Sequence, residues 1–223
     1  NARAFGVRDY IAQFMFNSPP GLSDAMDLAK MLAILELIEP LADDNFHIWR
    51  QTRTGLLSFP LDLSAARAHL AASVYLQMAL RPHILHVVGH TEADHAATAE
   101  DVIEACSLAR RAIENAIRGA PDMRADPKVQ ARKKQLVGET EATLQAISNL
   151  AGAGVDQPLT DPHTLYLAVK HGLLDAPQLL NNRFGRGQVS TRIVQGACLA
   201  IDEKGSPLAE ADRLDNLKLE DKA

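Results

Sequence analysis

Apolar and polar positions along the chain fall into short runs alternating with longer stretches of helical period. Tyr10–Phe16, Phe46–Arg50 and His83–Val88 are short enough, and bounded sharply enough by turn residues, to predict strands. The first stops at Asn17-Ser-Pro-Pro-Gly21, through which neither a helix nor a ladder continues. Ser23 or Asp24 then caps a helix whose Met26, Leu28, Ala29, Leu32, Leu35 and Leu37 cover most of its circumference, ending before Pro40. Asp62 or Ser64 opens a second helix to about Leu80. Thr98, with Glu100 and Asp101 behind it, opens a third to about Arg118. A helix over Asp126–Leu150 carries Arg132, Lys133, Lys134, Glu139 and Glu141 on a solvated or partner-facing side. Beyond the hinge Gly152-Ala-Gly154, a short helix from Thr160 or Asp161 to Gly172 is expected, then an irregular tail with Asp175-Ala-Pro177 and Asn181–Gly187.

Three successive strand-loop-helix units of about 35 residues predict a parallel sheet with right-handed crossovers. Short strands in repeated units favour a (β/α) barrel over a doubly wound sheet, and a full barrel of eight units takes ~250 residues. The expected fold is therefore α/β, the carboxyl-terminal part of a (β/α)8 TIM-type barrel with additional carboxyl-terminal helices. Residues 1–122 would hold three βα units and 123–223 a helical extension and tail packing on them. The opening Asn1-Ala-Arg-Ala-Phe-Gly6 has the look of a processed or partial polypeptide.

Composition narrows the function classes. A net charge of −5, without an aromatic-basic stripe, argues against a nucleic-acid surface. Cys106 and Cys198 lie far apart without ligand spacing, which fits a reducing compartment. No apolar run approaches the ~20 residues that span a bilayer, and no signal-peptide pattern opens the chain, so a cytoplasmic protein with no membrane partner is expected.

In α/β folds chemistry sits in loops leaving the carboxyl ends of parallel strands. Here the third run ends in His83-Ile-Leu-His86-Val-Val-Gly-His90-Thr-Glu92-Ala-Asp94-His95. If the strand persists to Gly89, His86, His90 and Glu92 share a side and could hold a metal, with Asp94 or His95 completing the set. A strand histidine is more commonly packed or hydrogen-bonded, and no second ligand cluster occurs, so no metal is expected. Arg50, Arg53 and Thr54 end the second strand, where a guanidinium could clamp a carboxylate or simply form a surface ion pair. Asn17 and Ser18 occupy the equivalent place on the first, as ligand donors or turn formers. Phe184-Gly-Arg-Gly187 is too short for a dinucleotide fingerprint, and no G-x-S-x-G, P-loop or C-x-x-C occurs.

Taken in order, these segments resemble the carboxyl-terminal half of the large catalytic subunit of glutamate mutase, the adenosylcobalamin-dependent methylaspartate mutase, collinearly from about residue 10 to 215. The carrying segments are Phe16-Asn-Ser-Pro-Pro-Gly21, Arg50-Gln51 with Gly55-Leu-Leu-Ser-Phe-Pro60, Val88-Gly-His-Thr-Glu92-Ala93 against a family Lys-Thr-Pro-His-Glu-Ala, and Ala168-x-x-x-Gly172-Leu-Leu-Asp175-Ala-Pro177 followed by Gly187, Arg192 and Gly196.

The resemblance implies a barrel that performs radical isomerisation of a small amino or carboxylic acid, its mouth capped by a cobalamin-binding subunit or domain. It puts the glutamate that contacts the adenosyl ribose on Glu92, with His90 beside it, and the wall facing the corrin on Gly55, Leu56 and Leu57, with Asn17 near the cofactor. The family lysine falls on Val88, a departure. The family arginines that hold substrate carboxylates lie in an amino-terminal half of the barrel that this sequence does not match, and Arg50 and Arg53, the substrate-binding candidates here, do not correspond to them. D-x-H-x-x-G, whose histidine ligates cobalt, is absent from the sequence, so cobalamin would require a partner; an oligomer is expected. Two other readings stand beside this one: a metal-dependent barrel lyase or hydrolase using His86, His90, Glu92 and Asp94, and a non-catalytic cobalamin-associated subunit.

Overall fold

In the computed structural model, which describes residues 1–217, β1 (Asp9–Phe16), β2 (His47–Thr54) and β3 (Ile84–His86) form one parallel sheet in that order. Between and after them run α1 (Asp24–Ile38), α2 (Leu63–Gln77) and α3 (Ala99–Gly119), then α4 (Pro127–Ser148) and α5 (Pro162–Lys170), the hairpin β4 (Ser190–Val194) and β5 (Ala197–Ile201), and α6 (Glu210–Asn216). The protein is thus mixed α/β with a small parallel sheet. By its internal contacts the chain divides into two units, Val7–Lys134 with Gln195–Ala197, and Asn1–Gly6 with Gln135–Val194 and the chain from Cys198. Residues 218–223 of the expected helical extension lie outside the described residues.

The strand-loop-helix units of the first unit start where side chains cap them. Ser23 Oγ accepts the Met26 N–H, Asp62 accepts the Ala65 N–H, and Thr98 with Asp101 forms a reciprocal capping box. Each supplies an acceptor to a first-turn N–H that has no intrahelical partner.

Alternation then decides which strand face is sealed. Ala12, Phe14 and Phe16 of β1 are buried against Leu28, Ala29 and Met31 of α1, with Leu76, Leu80 and Val129 closing the cluster. The register pairs Phe14 with Thr52 and Phe16 with Thr54, and both threonines are buried on the same side. A second cluster joins α2 (Ala66, Leu70, Val74) to α3 (Ala105, Ala109, Ala112) over Phe59 and Val88, with Leu85 of β3 packed against it. Small alanines on α3 allow close approach to α2. Helices α1, α2 and α3 therefore all lie on one face of the sheet, and burying each large apolar side chain there contributes ~1.5–3 kcal/mol.

Two strand boundaries differ from expectation. β2 runs to Thr54 rather than stopping at Arg50, because Gln51–Thr54 keep pairing with Gln13–Phe16. Arg50 is consequently a mid-strand residue. β3 pairs only over Ile84–His86, after which the chain leaves the ladder and turns through residues 90–94. The shared parity of His86, His90 and Glu92 fails with it, since parity holds only while the chain is extended.

The second unit is built on Ile147, Ala168 and Leu173, packed against Leu150, Leu165 and Leu214. The stretch expected to be irregular contains the β4–β5 hairpin, whose two turn residues Gln195 (φ 50°) and Gly196 (φ 79°) take the left-handed geometry of a tight hairpin turn. Asp175 accepts N–H groups of Gly187 (2.6 Å), Gln188 (2.7 Å) and Val189 (3.2 Å). Burial pushes its carboxyl up, but these backbone donors outweigh burial and hold it below the usual range. The Asp175-Ala-Pro177 and Gly187 segments are thus joined by a structural anchor.

Candidate functional site

The carboxyl end of the parallel sheet gathers the residues singled out from the sequence, and the fold sorts them into three environments.

The first is a buried polar network between strands and helices. Asn17, in the left-handed conformation (φ 57°) that asparagine tolerates, ends β1. Its N–H donates to the Asp27 carboxylate, and its Oδ1 accepts from Ser73 Oγ at 2.6 Å. Ser73 in turn accepts from Thr54 Oγ1 (2.9 Å) and Gln77 Nε2 (3.0 Å), and Gln77 also donates to Thr54 (3.1 Å). Asp27 is fully buried; Lys30 Nζ lies 2.8 Å from it, yet burial still pushes its carboxyl above the usual range. Here Asn17 carries the β1–α1 turn. Thr54 was read only as a strand-end candidate, and Ser73, Gln77 and Asp27 were missed by sequence reasoning, since only the fold brings residues of two strands and two helices together.

The second environment is the β3–α3 turn. His90 is 2% exposed, and neither ring nitrogen has a hydrogen-bond partner; Nε2 stands 3.4 Å from a Glu104 oxygen that, with its twin, holds Arg67 in a bidentate pair at 2.7 and 3.0 Å. His90 was expected beside Glu92 and open to ligand. It faces inward instead, because the turn sends His90 and Thr91 towards the helices and Glu92, Asp94 and His95 outward. Val88 is likewise sealed in the α2–α3 core. Glu92 is exposed; its Oε1 accepts the Gly89 N–H of its own loop. His95 pairs with Asp94 at 2.8 Å, which raises its pKa, with Asp101 3.6 Å from the other nitrogen. Among the described residues, no three His, Cys, Asp or Glu side chains come together as a metal-holding group.

The third is the loop after β2. Gly55 donates its N–H to the Phe16 carbonyl at 2.7 Å, and a Cβ there would stand 3.0 Å from that same oxygen, so the close approach suits glycine. Leu57 and Leu61 are 85% and 82% exposed, with Leu56 and Leu63 partly so. Ser58 Oγ lies 2.8 Å from His69 Nε2 and donates to the Gly55 carbonyl at 2.7 Å; burial holds the His69 pKa below its usual value.

The two arginines part company. Arg50 points to the helix side and is fully engaged: Nε and Nη2 donate to the Arg81 carbonyl (3.2 and 3.1 Å) and Nη1 to Glu39 (3.1 Å). It ties β2 to the segment before β3 and has no free fork for a substrate, a correction to the expectation that paired it with Arg53. Arg53 lies on the opposite face of β2, in register with Met15 and His86. Its one hydrogen bond among the described residues is a long contact from Nε to the Thr54 carbonyl at 3.5 Å.

A separate cavity of about 300 Å³ in the second unit is lined by Asp175, Arg186, Glu203 and Arg213 among others. Its arginines are held by carbonyls of His171, Gly172 and Leu173, and Arg213 also by Glu210. They act as braces.

No family model matches the chain, and no curated protein matches it. Among the described residues no helix is long and apolar enough to cross a membrane.

Proposed function

We propose that this chain forms part of the catalytic barrel of an adenosylcobalamin-dependent carbon-skeleton mutase similar to glutamate mutase. The observation that carries the reading is a parallel β1-β2-β3 sheet with α1, α2 and α3 packed on one face and the side chains of the other face exposed or half-buried, its carboxyl ends bearing Arg53, Glu92 and an exposed leucine loop. In a (β/α) barrel that other face is the lumen and the carboxyl ends are the mouth. An amino-terminal half of the barrel would supply the remaining strands.

The residues present fit the cofactor. Glu92 keeps Oε2 without a partner among the described residues, leaving lone pairs for ribose hydroxyls. Leu56 and Leu57, projecting beyond Gly55, offer the apolar surface that a corrin face or the subunit presenting it would cover. When bound, cobalamin supplies the radical that starts the rearrangement; the chain's own residues bind, orient and exclude water. The metal-dependent alternative loses its basis because its four residues do not converge. One observation favours the non-catalytic alternative: Val88 is core rather than mouth, so the family lysine has no counterpart at the cofactor.

Isothermal titration of the chain with adenosylcobalamin, alone and with a cobalamin-binding domain carrying D-x-H-x-x-G, tests the proposal. Weak binding alone and stoichiometric binding in the mixture are expected, and Glu92→Gln should weaken the latter. Tight binding without a partner, or none in the mixture, overturns it. Cobalamin-dependent assembly without turnover would favour the non-catalytic subunit.

A further inference from the structure

We propose that the cavity of about 300 Å³ in the second unit binds a free aliphatic α-amino acid, its carboxylate taken by Arg186, its ammonium by Glu203 and its side chain by a wall of Val189, Ile201 and Leu208. Such a site stands or falls independently of the cobalamin reading, which assigns no ligand to this unit.

Two of the charged groups lining the cavity are engaged and two are open. Asp175 accepts three backbone N–H groups, and Arg213 donates to Glu210 and to the carbonyls of Gly172 and Leu173. Arg186 braces through Nη1 alone, 3.0 Å from the His171 carbonyl, which leaves its Nε and Nη2 edge for an incoming group. Glu203 is exposed and has no hydrogen bond or ion pair among the described residues. Arg186 and Glu203 line the same cavity without pairing with each other. A ligand that carries both signs satisfies the two at once, and a guanidinium edge takes a carboxylate through two parallel bonds.

Both side chains leave loops that the fold fixes. Asp175 ties down the backbone of Gly187, Gln188 and Val189, and a Cβ on Gly187 would collide with the Leu180 backbone. The Arg186 stem lies over Gly172, where a Cβ would stand 3.1 Å from its Cδ. On the other side, Asp202 Oδ1 accepts the N–H groups of Lys204 (2.9 Å) and Ser206 (2.8 Å), closing the turn that carries Glu203. The Leu208 N–H donates to the Ala200 carbonyl at 2.8 Å, which sets Leu208 beside β5. Groups held in place in this way lose little freedom when a ligand arrives. Size and wall then choose among dipolar ligands. Small-molecule sites run from ~300 to 1,000 Å³, so this one suits a ligand of amino-acid size rather than a nucleotide. Val189, Ile201 and Leu208 are half-buried and favour an aliphatic side chain. A peptide terminus would bring only one of the two charges.

The test is calorimetric titration of the full chain, without cobalamin, with L-leucine and three analogues that each lack one recognised group: isocaproate without the ammonium, isoamylamine without the carboxylate, and glycine without the side chain. Leucine should bind saturably and each analogue about ten- to hundredfold more weakly, the usual effect of losing charge-assisted hydrogen bonds or a buried aliphatic group. Glu203→Gln should weaken leucine by a similar factor and leave the weaker isocaproate binding unchanged. Arg186→Met should weaken leucine and leave isoamylamine unchanged, a split that a merely structural role would not produce. Circular dichroism and urea unfolding establish that each variant is folded; should Arg186→Met fail to fold, Glu203→Gln decides alone, because Glu203 holds no other group in place. Absence of saturable leucine binding by the wild type, unchanged leucine affinity in folded Glu203→Gln, or isocaproate or glycine binding as tightly as leucine overturns the site.

Discussion

The two faces of the β1-β2-β3 sheet are made by alternate residues of the same strands, yet they solve different problems. On the helix-covered face, Phe14 and Phe16 are almost entirely buried, and a network of polar groups is bonded into the interior, Thr54, Ser73, Gln77 and Asn17 to one another and Arg50 to Glu39 and Arg81, although Thr52 Oγ1, Gln77 Oε1 and both ring nitrogens of His90 are buried without a hydrogen-bond partner among the described residues. On the other face, no acid among the described residues pairs with Arg53 or His86. A polar group that stabilises a fold is recognisable by its partners, since leaving it unpaired in the interior costs ~1–3 kcal/mol.

The comparison breaks most visibly at Phe14. Phe14→Ala removes a fully buried ring from the α1 interface and should cost about 3–5 kcal/mol by urea unfolding. A loss below 1 kcal/mol would mean that the covered face is not the stabilising one.

The buried network should come next. Ser73→Ala strips a partner from Thr54, Gln77 and Asn17 at once and should cost about 1–3 kcal/mol. Gln77→Leu should cost less, because it also discards Oε1, which is buried without a partner. Equal costs would show that the network is not centred on Ser73.

Much of this architecture is legible in the sequence, and the failures have identifiable causes. Local chemistry read well: Ser23, Asp62, Thr98 and Asp161 each cap the helix expected after them, and the repeated units imply the parallel pairing that is found. The end of β2 was missed because Thr52-Arg-Thr54 has no apolar signature; two threonines bury hydroxyl-bearing side chains behind β1 while Arg53 stays outside. His90 was misplaced because three paired residues end β3 and the turn then decides direction, which strand periodicity cannot report. The β4–β5 hairpin did carry a signal: two short runs separated by Gln195-Gly196, a two-residue spacing suited to a tight turn. Arg53 and Glu92 were picked out as candidates from their position near strand ends, whereas separating Arg53 from Arg50 required knowing which face each occupies.

On α2, His69 gives a pH signature. Burial lowers its pKa in the folded protein below the unfolded value of 6.5, so the unfolded chain binds more protons in the window between the two. Stability is therefore full above 6.5 and falls as pH drops through that window. His69→Gln should flatten this part of the stability-pH curve, measured by urea unfolding at fixed ionic strength. An unchanged slope would mean that the imidazole is as well solvated folded as unfolded.

The smallest expected effect is the most discriminating. Arg53→Met and His86→Ala should each change unfolding free energy by no more than about 0.5 kcal/mol, as substitutions away from core, caps and ion pairs do. Arg50→Met, three residues earlier on the same strand, should cost more, because it frees Glu39 and leaves the Arg81 carbonyl without its two donors. The pair isolates face from strand, since both arginines share β2 and differ in which side they project from. If Arg53→Met proved as destabilising as Arg50→Met, Arg53 would be a structural brace like Arg50.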